Sequence, residues 1–428
     1  MPDYVDSYYA RTLTTTAERR ALQGRHDTDV CIIGGGLAGL TSALELRRRG
    51  RSVILLEAHA AGWGASGRNG GFVSPGYSRG LSSIEAVVGP EAARDLYRMS
   101  IEGTEIVAGN IRELGLDDAR PVQGIFKVIR YDDAAGLKAH RERLARDFGY
   151  DLDFWPTERV RETLRSPRYH QALLDNGAFH IHPLNYARGL ASAIEQAGGY
   201  IHDRSPVTAL DLSGAEKIVR TAGGAVRARH VVMACGGYTD QLVPRLRRSH
   251  LPIATYVLAT EPARERLAEV IRTRAAALDD RRASDYYRLV DDGARLLWGG
   301  RITTRTSEPR ELAAMLRRTM IDTYPQLADL KVELAWSGLM SYARHLMPQI
   351  GQLQDGVWYC MGFGGHGLNT TAIGGRVIAE AIAGDSDRIR RFAPFGLPWA
   401  GGPFGVAAVQ LTYWTYQGLD WLRERRAA

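Results

Sequence analysis

The chain has 428 residues, 45% of them hydrophobic and 24% charged, which is long for one simple core and points to two closely associated domains in a globular protein. Its formal net charge of +7 comes from arginines scattered along the chain, not from a dense basic tract interleaved with aromatics. That argues against nucleic acid as a partner and favours anionic small molecules. The three cysteines, Cys31, Cys235 and Cys360, are odd in number and far apart, so neither a disulfide framework nor a cysteine metal site is expected.

The first 26 residues are polar and irregular, with no apolar signal core, and no run of 18 apolar residues occurs anywhere. A cytoplasmic protein without a spanning helix is expected. "DVCIIGGG" (29–36) is then a β-branched apolar run that ends in glycines. "LAGLTSALELRRRG" reads as a helix, with Leu37, Leu40, Ala43, Leu44 and Leu46 near one face and Gly50 as its stop, and "SVILLE" (52–57) as a second buried strand.

Within this βαβ start stands Gly34-x-Gly36-x-x-Gly39. Gly34 permits a tight turn, Gly36 lets a pyrophosphate reach the backbone, and Gly39 lets helix and strand pack closely. The helix start at Leu37 and Ala38 offers amides and a partial positive charge to phosphates. Glu57 lies 18 residues past Gly39, at the end of the next strand. Its carboxylate suits the two hydroxyls of an adenosine ribose and repels a 2′-phosphate. A dinucleotide is the expected ligand.

The glycine-rich "GWGASGRNGGF" (62–72) follows directly. From 82 to 165 the pattern is mainly helical, with a short strand pair expected around "GIFKVIR". "HPLNYARGLASAIEQAGGYIHDRSPVTALD" reads as helix, Gly-Gly stop and two strands, and "AVRARHVVMACGGYT" as a strand ending in glycines. "IATYVLATEP", "DYYRLVDDG" and "RLLWGGRI" read as antiparallel strands, with Asp-Asp-Gly as a hairpin turn. A helix over 311–324, strands "VELAWSGLM" and "VWYCMGF", and a helix over 368–383 close the body.

Segments of parallel α/β character thus come at the start, middle and end, with helical or antiparallel segments between them. The expected fold is mixed α/β, with the second domain inserted into the first. The pieces are 1–85, 179–247 and 335–400 for the nucleotide-binding domain, 86–178 and 248–334 for the substrate domain, and 401–428 for a C-terminal amphipathic helix. In that last piece Val406, Val409, Tyr413, Tyr416 and Asp420 follow helical spacing. The helix either packs on its own protein or lies in a membrane interface. "HIH" puts His180 and His182 on one face of a strand, but no third ligand is spaced for a metal, and none is expected.

The order GxGxxG, Glu57, "GWGASGRNGG" resembles the D-amino-acid-oxidase-like flavoproteins, which include glycine oxidase and sarcosine oxidase. Within them it is most similar to the γ-glutamylputrescine oxidoreductases, which share the opening "YVDSYYA", the "GWGASGRNGG" loop and a "GxxGHG" near the C-terminus. The resemblance runs from Tyr4 to Phe395. It implies a Rossmann-like FAD-binding domain, an inserted substrate domain built on an antiparallel sheet and helices, and FAD held non-covalently. It also implies FAD contacts at Trp63, Ser66, Gly67, Arg68, Asn69, Gly70 and Gly71, at Val207, at Ala234 and Gly236, at Gly338, and at Gly365, Gly367, Leu368, Asn369 and Thr370. Free amides at the last four positions can stabilise negative charge at N1 and C2=O of reduced flavin.

The implied reaction is hydride transfer from the CH–NH of a small amine to flavin N5, giving an imine that water hydrolyses to an aldehyde or keto acid. The side chains nominated for the reacting end are Arg68, Tyr256, Tyr286, Trp298, Arg344 and His366. Two positions depart from the family. Glycine oxidase carries an arginine for the substrate carboxylate four residues after the tryptophan of "WxG", where this chain has Met340. Monomeric sarcosine oxidase carries an oxygen-activating lysine where this chain offers Leu297 or Trp298. An aliphatic or γ-glutamylated amine therefore ranks ahead of glycine, a D-amino acid or an N-methyl amino acid, and O2 or another electron acceptor stays open. A membrane-associated dehydrogenase feeding quinone is the remaining alternative.

Overall fold

A computed structural model of the chain describes residues 4–15, 17–281, 284–304 and 311–427. The β-branched run forms β1 (Gly24–Ile33), whose last four residues are buried; α1 (Leu37–Arg48) and β2 (Val53–Leu56) follow, and β1 and β2 pair in parallel. On the other side of β1 lies β3 (Gly224–Met233), also parallel, with Ile33 opposite Met233. Strand Val357–Met361 continues the parallel run and Gln349–Gln354 closes that edge antiparallel, while Tyr200–His202 flanks β2. The central strands are buried on both faces, which is why they read as continuous apolar runs.

The second sheet contains β4 (His250–Thr260), β5 (Tyr286–Val290), β6 (Arg295–Thr303) and β7 (Val332–Ala343). Its order is β7-β4-β6-β5, then Ala276–Asp279, Val122–Val128, Ala172–His180 and Phe72–Val73. It is antiparallel except where Ala276–Asp279 meets Val122–Val128. The Asp-Asp-Gly turn joins β5 to β6, with Asp291, Asp292 and Gly293 all at positive φ (51°, 54° and 89°), as such hairpins require. The expected strand pair at 124–130 is instead one strand, Val122–Val128, whose partner Ala172–His180 is distant in sequence.

The chain enters the second sheet at residue 72, leaves it at 180, returns at 250 and leaves again at 343. One core lies around α1 and α2 (Gly367–Ala383), with the helices Pro90–Glu113 and Pro183–Gln196. Another lies between the second sheet and helix Leu312–Thr323 and contains Tyr256, Tyr287, Trp298 and Tyr324.

The C-terminal segment is helical, as expected: α3 (Gly402–Ala427) packs against β4 and β6. It is not amphipathic, because both faces are apolar. Val409 and Tyr413 turn inward, while Phe404, Leu411, Trp414, Trp421 and Leu422 are exposed. No helix among the described residues is long and apolar enough to cross a membrane.

Candidate cofactor and substrate site

A cavity of about 670 Å³ runs between the two sheets. One end is built by the turn after β1. Gly34 adopts φ +109°, and a Cβ there would stand 2.7 Å from the Ala234 carbonyl oxygen. A Cβ on Gly39 would stand 2.0 Å from the Gly34 carbonyl oxygen, so only glycine lets α1 approach its own strand. Gly36 precedes the first turn of α1, and Gly34, Gly36, Leu37 and Ala38 all line the cavity. The Leu37 amide donates to Ser66 Oγ at 2.9 Å, which ties the glycine-rich loop to the positive end of the helix.

Glu57 lines the same end and is held by backbone. Its Oε2 accepts from the Gly35 amide (2.6 Å) and its Oε1 from the His59 amide (2.8 Å). Burial pushes its pKa up and these amide bonds oppose the rise. Val207, Ala234 and Gly236 complete this end.

The loop over 62–72 is fixed largely by its own side chains. Asn69 Nδ2 donates to the carbonyls of Ala65 (3.0 Å) and Ser66 (2.9 Å), and its Oδ1 accepts from the Gly71 amide (2.8 Å). Three residues from elsewhere clamp the loop carbonyls: Trp336 Nε1 on Arg68 O (2.9 Å), Tyr9 OH on Asn69 O (2.7 Å) and Arg288 Nε on Gly70 O (2.7 Å). Arg288 is buried and also reaches Ile181 O, Tyr9 OH and His180 Nδ1.

Trp63, Ser66, Asn69 and Gly70 line the cavity, with Trp63 stacked on His59 at 3.7 Å. Arg68 does not. Its guanidinium lies over the Trp63 ring at 4.3 Å and its Nε donates to Trp63 O. Gly67, Gly71 and Gly338 stand behind the lining. A Cβ on each would meet, respectively, Gly62 O at 2.3 Å, Ile181 O at 2.2 Å and Arg68 Cβ at 3.2 Å.

The other end of the cavity meets the N-terminus of α2. Gly365, His366, Gly367 and Leu368 line it, and no side chain caps this helix. Asn369 and Thr370 act from behind: Asn369 Nδ2 donates to Gly76 O and Ser100 O, and the Thr370 hydroxyl to His366 O. His366 Nε2 lies 3.1 Å from Ser74 O and 3.2 Å from Pro75 O. Two carbonyl acceptors require a proton on Nε2, which leaves Nδ1 as the acceptor nitrogen. Burial holds the imidazole at about 4, so it is neutral near pH 7.

Beyond the helix start, Thr255, Tyr286, Ile302, Met340, Tyr342 and Tyr413 form a chamber. Of the six side chains nominated for chemistry, Tyr286 and His366 line the cavity; Arg68, Tyr256, Trp298 and Arg344 do not. Tyr256 and Trp298 face away because side chains alternate along a strand. Trp298 stacks on Tyr287 at 4.8 Å beneath helix Leu312–Thr323, on the same face as Tyr256 and Leu258 and opposite to Thr255. Arg344 is exposed on the turn after β7. Tyr342 and Tyr413 went unnominated. Both are ring residues next to hydrophobic runs, a signal shared by ordinary core positions.

The "HIH" pair is structural. His182 Nδ1 accepts from the Asn185 amide and caps helix Pro183–Gln196, His180 bonds Arg274 O and Arg288, and burial drives both to about 3. Among the described residues no cluster of metal ligands occurs. Cys360 is buried against Gly374 and is not part of the cavity wall.

The donor set fits FAD. Two helix N-termini, a glycine turn that a Cβ would fill and a strand-end carboxylate converge on one elongated cavity. Residues 29–381 match the family model described as FAD dependent oxidoreductase (DAO). The chain belongs to this family of FAD-dependent oxidoreductases, and FAD is its cofactor. Among individual relatives it is 36% identical to the gamma-glutamylputrescine oxidoreductase of Escherichia coli, over 94% of this chain and 95% of that protein. It is 25% identical to a glycine oxidase of Pseudomonas aeruginosa, over 83% and 94% respectively. The crystal structure of glycine oxidase from Geobacillus kaustophilus shares the fold, with a TM-score of 0.72 at 21% identity, covering 87% of this chain and 99% of that one.

Proposed function

We propose that the chain oxidises the CH–NH bond of an aliphatic amine, with γ-glutamylated diamines the foremost class, giving an imine that water hydrolyses to an aldehyde and ammonia, or an amine where the nitrogen is substituted. The observation that carries this reading is the chemistry of the chamber. Its described lining of Thr255, Leu278, Ser284, Tyr286, Ile302, Met340, Ser341, Tyr342 and Tyr413 bears no charged side chain. A chamber of rings, methyls and hydroxyls desolvates an ammonium and lowers its pKa, so the amine sheds its proton on entry and needs no dedicated base. Met340 in that wall leaves the described lining without a guanidinium for an α-carboxylate, which favours an amine over an α-amino acid. The relative named gamma-glutamylputrescine oxidoreductase, matched over nearly its full length, supports the same class.

Bound FAD supplies the acceptor of the hydride equivalent, and O2 or another oxidant takes the electrons onward. The first-sheet end, with Gly34, Gly36, Glu57, Ser66, Val207, Ala234 and Gly236, would hold the nucleotide half. The uncapped N-terminus of α2 would offer the positive end of its dipole to negative charge on a reduced flavin ring. His366, neutral and with Nε2 committed to Ser74 and Pro75, offers Nδ1 as a fixed acceptor. The second sheet serves as the substrate domain, and Tyr286 gives the chamber an aromatic wall for the amine's methylene chain.

The test is anaerobic bleaching of the flavin against N-acylated diamines, free polyamines, glycine, N-methyl amino acids and D-amino acids. Fast bleaching by the acylated diamines is expected. Bleaching by glycine or D-amino acids alone would overturn the reading.

A further inference from the structure

The matched family model ends at residue 381, yet one wall of the chamber comes from beyond it. Tyr413, on α3, is buried on a helix whose neighbouring residues Leu411, Thr412 and Trp414 are exposed, and it lines the cavity beside Tyr342, Met340 and Ile302. The helix that carries it is anchored along its length. Near its start a Cβ on Gly405 would stand 2.0 Å from Ala400 O, and Val409 packs into the cluster of Leu251, Ile253 and Ala400. One turn before Tyr413, Gln410 Oε1 accepts from the hydroxyls of Thr303 (3.1 Å) and Thr304 (3.2 Å). Toward its end Glu424 pairs with the buried Arg130 at 2.9 Å, and the Arg423 guanidinium lies 3.9 Å over the Tyr131 ring.

Gly405, Val409, Tyr413 and Glu424 fall on one side of the helix, and each meets the body of the protein. Arg130 also reaches Asp279 (3.5 Å) and Asp322 (3.2 Å), so the anchor ties α3 to strand Ala276–Asp279 and helix Leu312–Thr323. This fastening holds Tyr413 in position. A lone aromatic on a loosely attached tail would instead swing out, since ordering a free segment costs about 1–2 kcal/mol per residue.

We propose that α3 is a built-in wall of the substrate chamber and that Tyr413 sets the length and bulk of the amine admitted. The inference rests on the amine reading for the identity of the ligand, but not for the existence of the wall. Tyr342 relays the wall to the ring end of the site: it bridges to Phe363, and its hydroxyl stands 2.8 Å from where a Cβ on Gly365 would lie. Tyr413, Tyr342 and the loop before α2 thus form one continuous surface from the chamber to the helix start.

The test uses the FAD-loaded enzyme with Tyr413→Ala, Tyr413→Phe and, as a control on the outward face, Trp414→Ala. Collisional quenching of flavin fluorescence by acrylamide reads the wall without any substrate. It should rise in Y413A and stay at the wild-type level in Y413F and W414A. Then kcat/KM is measured across a series of N-acylated and alkyl amines of increasing length. Y413A should shift preference toward longer or bulkier amines by about tenfold or more, the discrimination that a few methylenes in an apolar pocket provide. Y413F should keep the wild-type order.

Quenching in Y413A equal to wild type, or an unchanged rank order of amines, would overturn the proposal. If quenching rises but no amine bleaches the wild-type flavin, the wall stands and the amine reading fails. Should Y413A lose its FAD, Tyr413→Leu, which removes the outer ring and hydroxyl, gives the same two readouts in the same direction with a smaller amplitude.

Discussion

The contact between Gly39 and the Gly34 carbonyl gives the strongest quantitative expectation. A methyl group at position 39 would stand 2.0 Å from that oxygen and 3.3 Å from Ile32 Cγ2, against the 3.4 Å at which ordinary contact begins. The shortfall is about 1.4 Å, and the opposing atom is backbone, so it cannot swing aside as a side-chain tip would. α1 is buried from Leu37 to Leu46, which leaves little room for it to retreat. Overpacking of this kind costs about 1–3 kcal/mol. The proposed site puts the pyrophosphate at this turn, and a loss of about 2 kcal/mol expressed in binding would weaken FAD by about 30-fold. Gly39→Ala is therefore expected to lose FAD on dialysis and to melt below wild type, with part of the loss restored by excess FAD. Gly80→Ala is the control: a Cβ there meets nothing within 4 Å, so it should retain FAD like wild type and lose only about 1 kcal/mol of stability from the N-cap of helix Leu81–Val88. Equal FAD retention and melting temperature in G39A and wild type would refute the close-approach reasoning.

Glu57→Arg removes the acceptors of the Gly35 and His59 amides and should lower FAD affinity at least about tenfold, read by absorbance after dialysis; unchanged occupancy would remove Glu57 from the nucleotide site. Arg288→Met leaves Gly70 O and Ile181 O without their donor and should cost about 3 kcal/mol in denaturant unfolding, with a wild-type midpoint counting against the clamp. His180 and His182 are held neutral, at about 3 against an ordinary 6.5, so the unfolded chain binds the extra protons. Their contribution is complete above about pH 6.5 and is lost as pH falls toward about 3, by about 1.4 kcal/mol per pH unit for each group. His182→Asn keeps a helix-capping acceptor and removes one titration, so its stability should fall less steeply between about pH 6.5 and about pH 4. A slope identical to wild type would show that folded His182 titrates like the unfolded residue, with no burial shift.

The nucleotide end was legible because its signals are local. The turn glycines, the strand that precedes them and the acid that follows lie within 29–57, and each has a stereochemical reason to be the residue it is. The chamber was not. Tyr256 and Trp298 were nominated as aromatics on strands expected to floor the cavity, yet they face the core, while Thr255 on β4 and its partner Ile302 on β6 line the cavity. Both faces of this sheet are apolar or aromatic, so alternation reveals the period but not which face meets the ligand, and the register shift between Thr255 and Tyr256 blurs even the period. Tyr286 and Tyr287 make the point within one strand: the first lines the cavity and the second stacks on Trp298. Arg288 and Tyr9 escaped notice because their partners are backbone carbonyls of the glycine-rich loop, and no side-chain pattern encodes such contacts.

The twofold passage of the chain between the sheets has a bearing on biogenesis. The Gly34 turn can form as soon as β2 leaves the ribosome, but its neighbour Ala234 follows β3, and α2, which meets the other end of the cavity, begins only at Gly367. Until nearly the whole polypeptide has emerged, the nascent phosphate cradle lacks both floor and far wall. Cofactor capture is therefore a late, largely post-translational event, and the apoprotein must close its longest-range contacts before FAD can reward them. FAD, which binds the closed interior and not the unfolded chain, is therefore expected to stabilise the full-length protein in proportion to its free concentration.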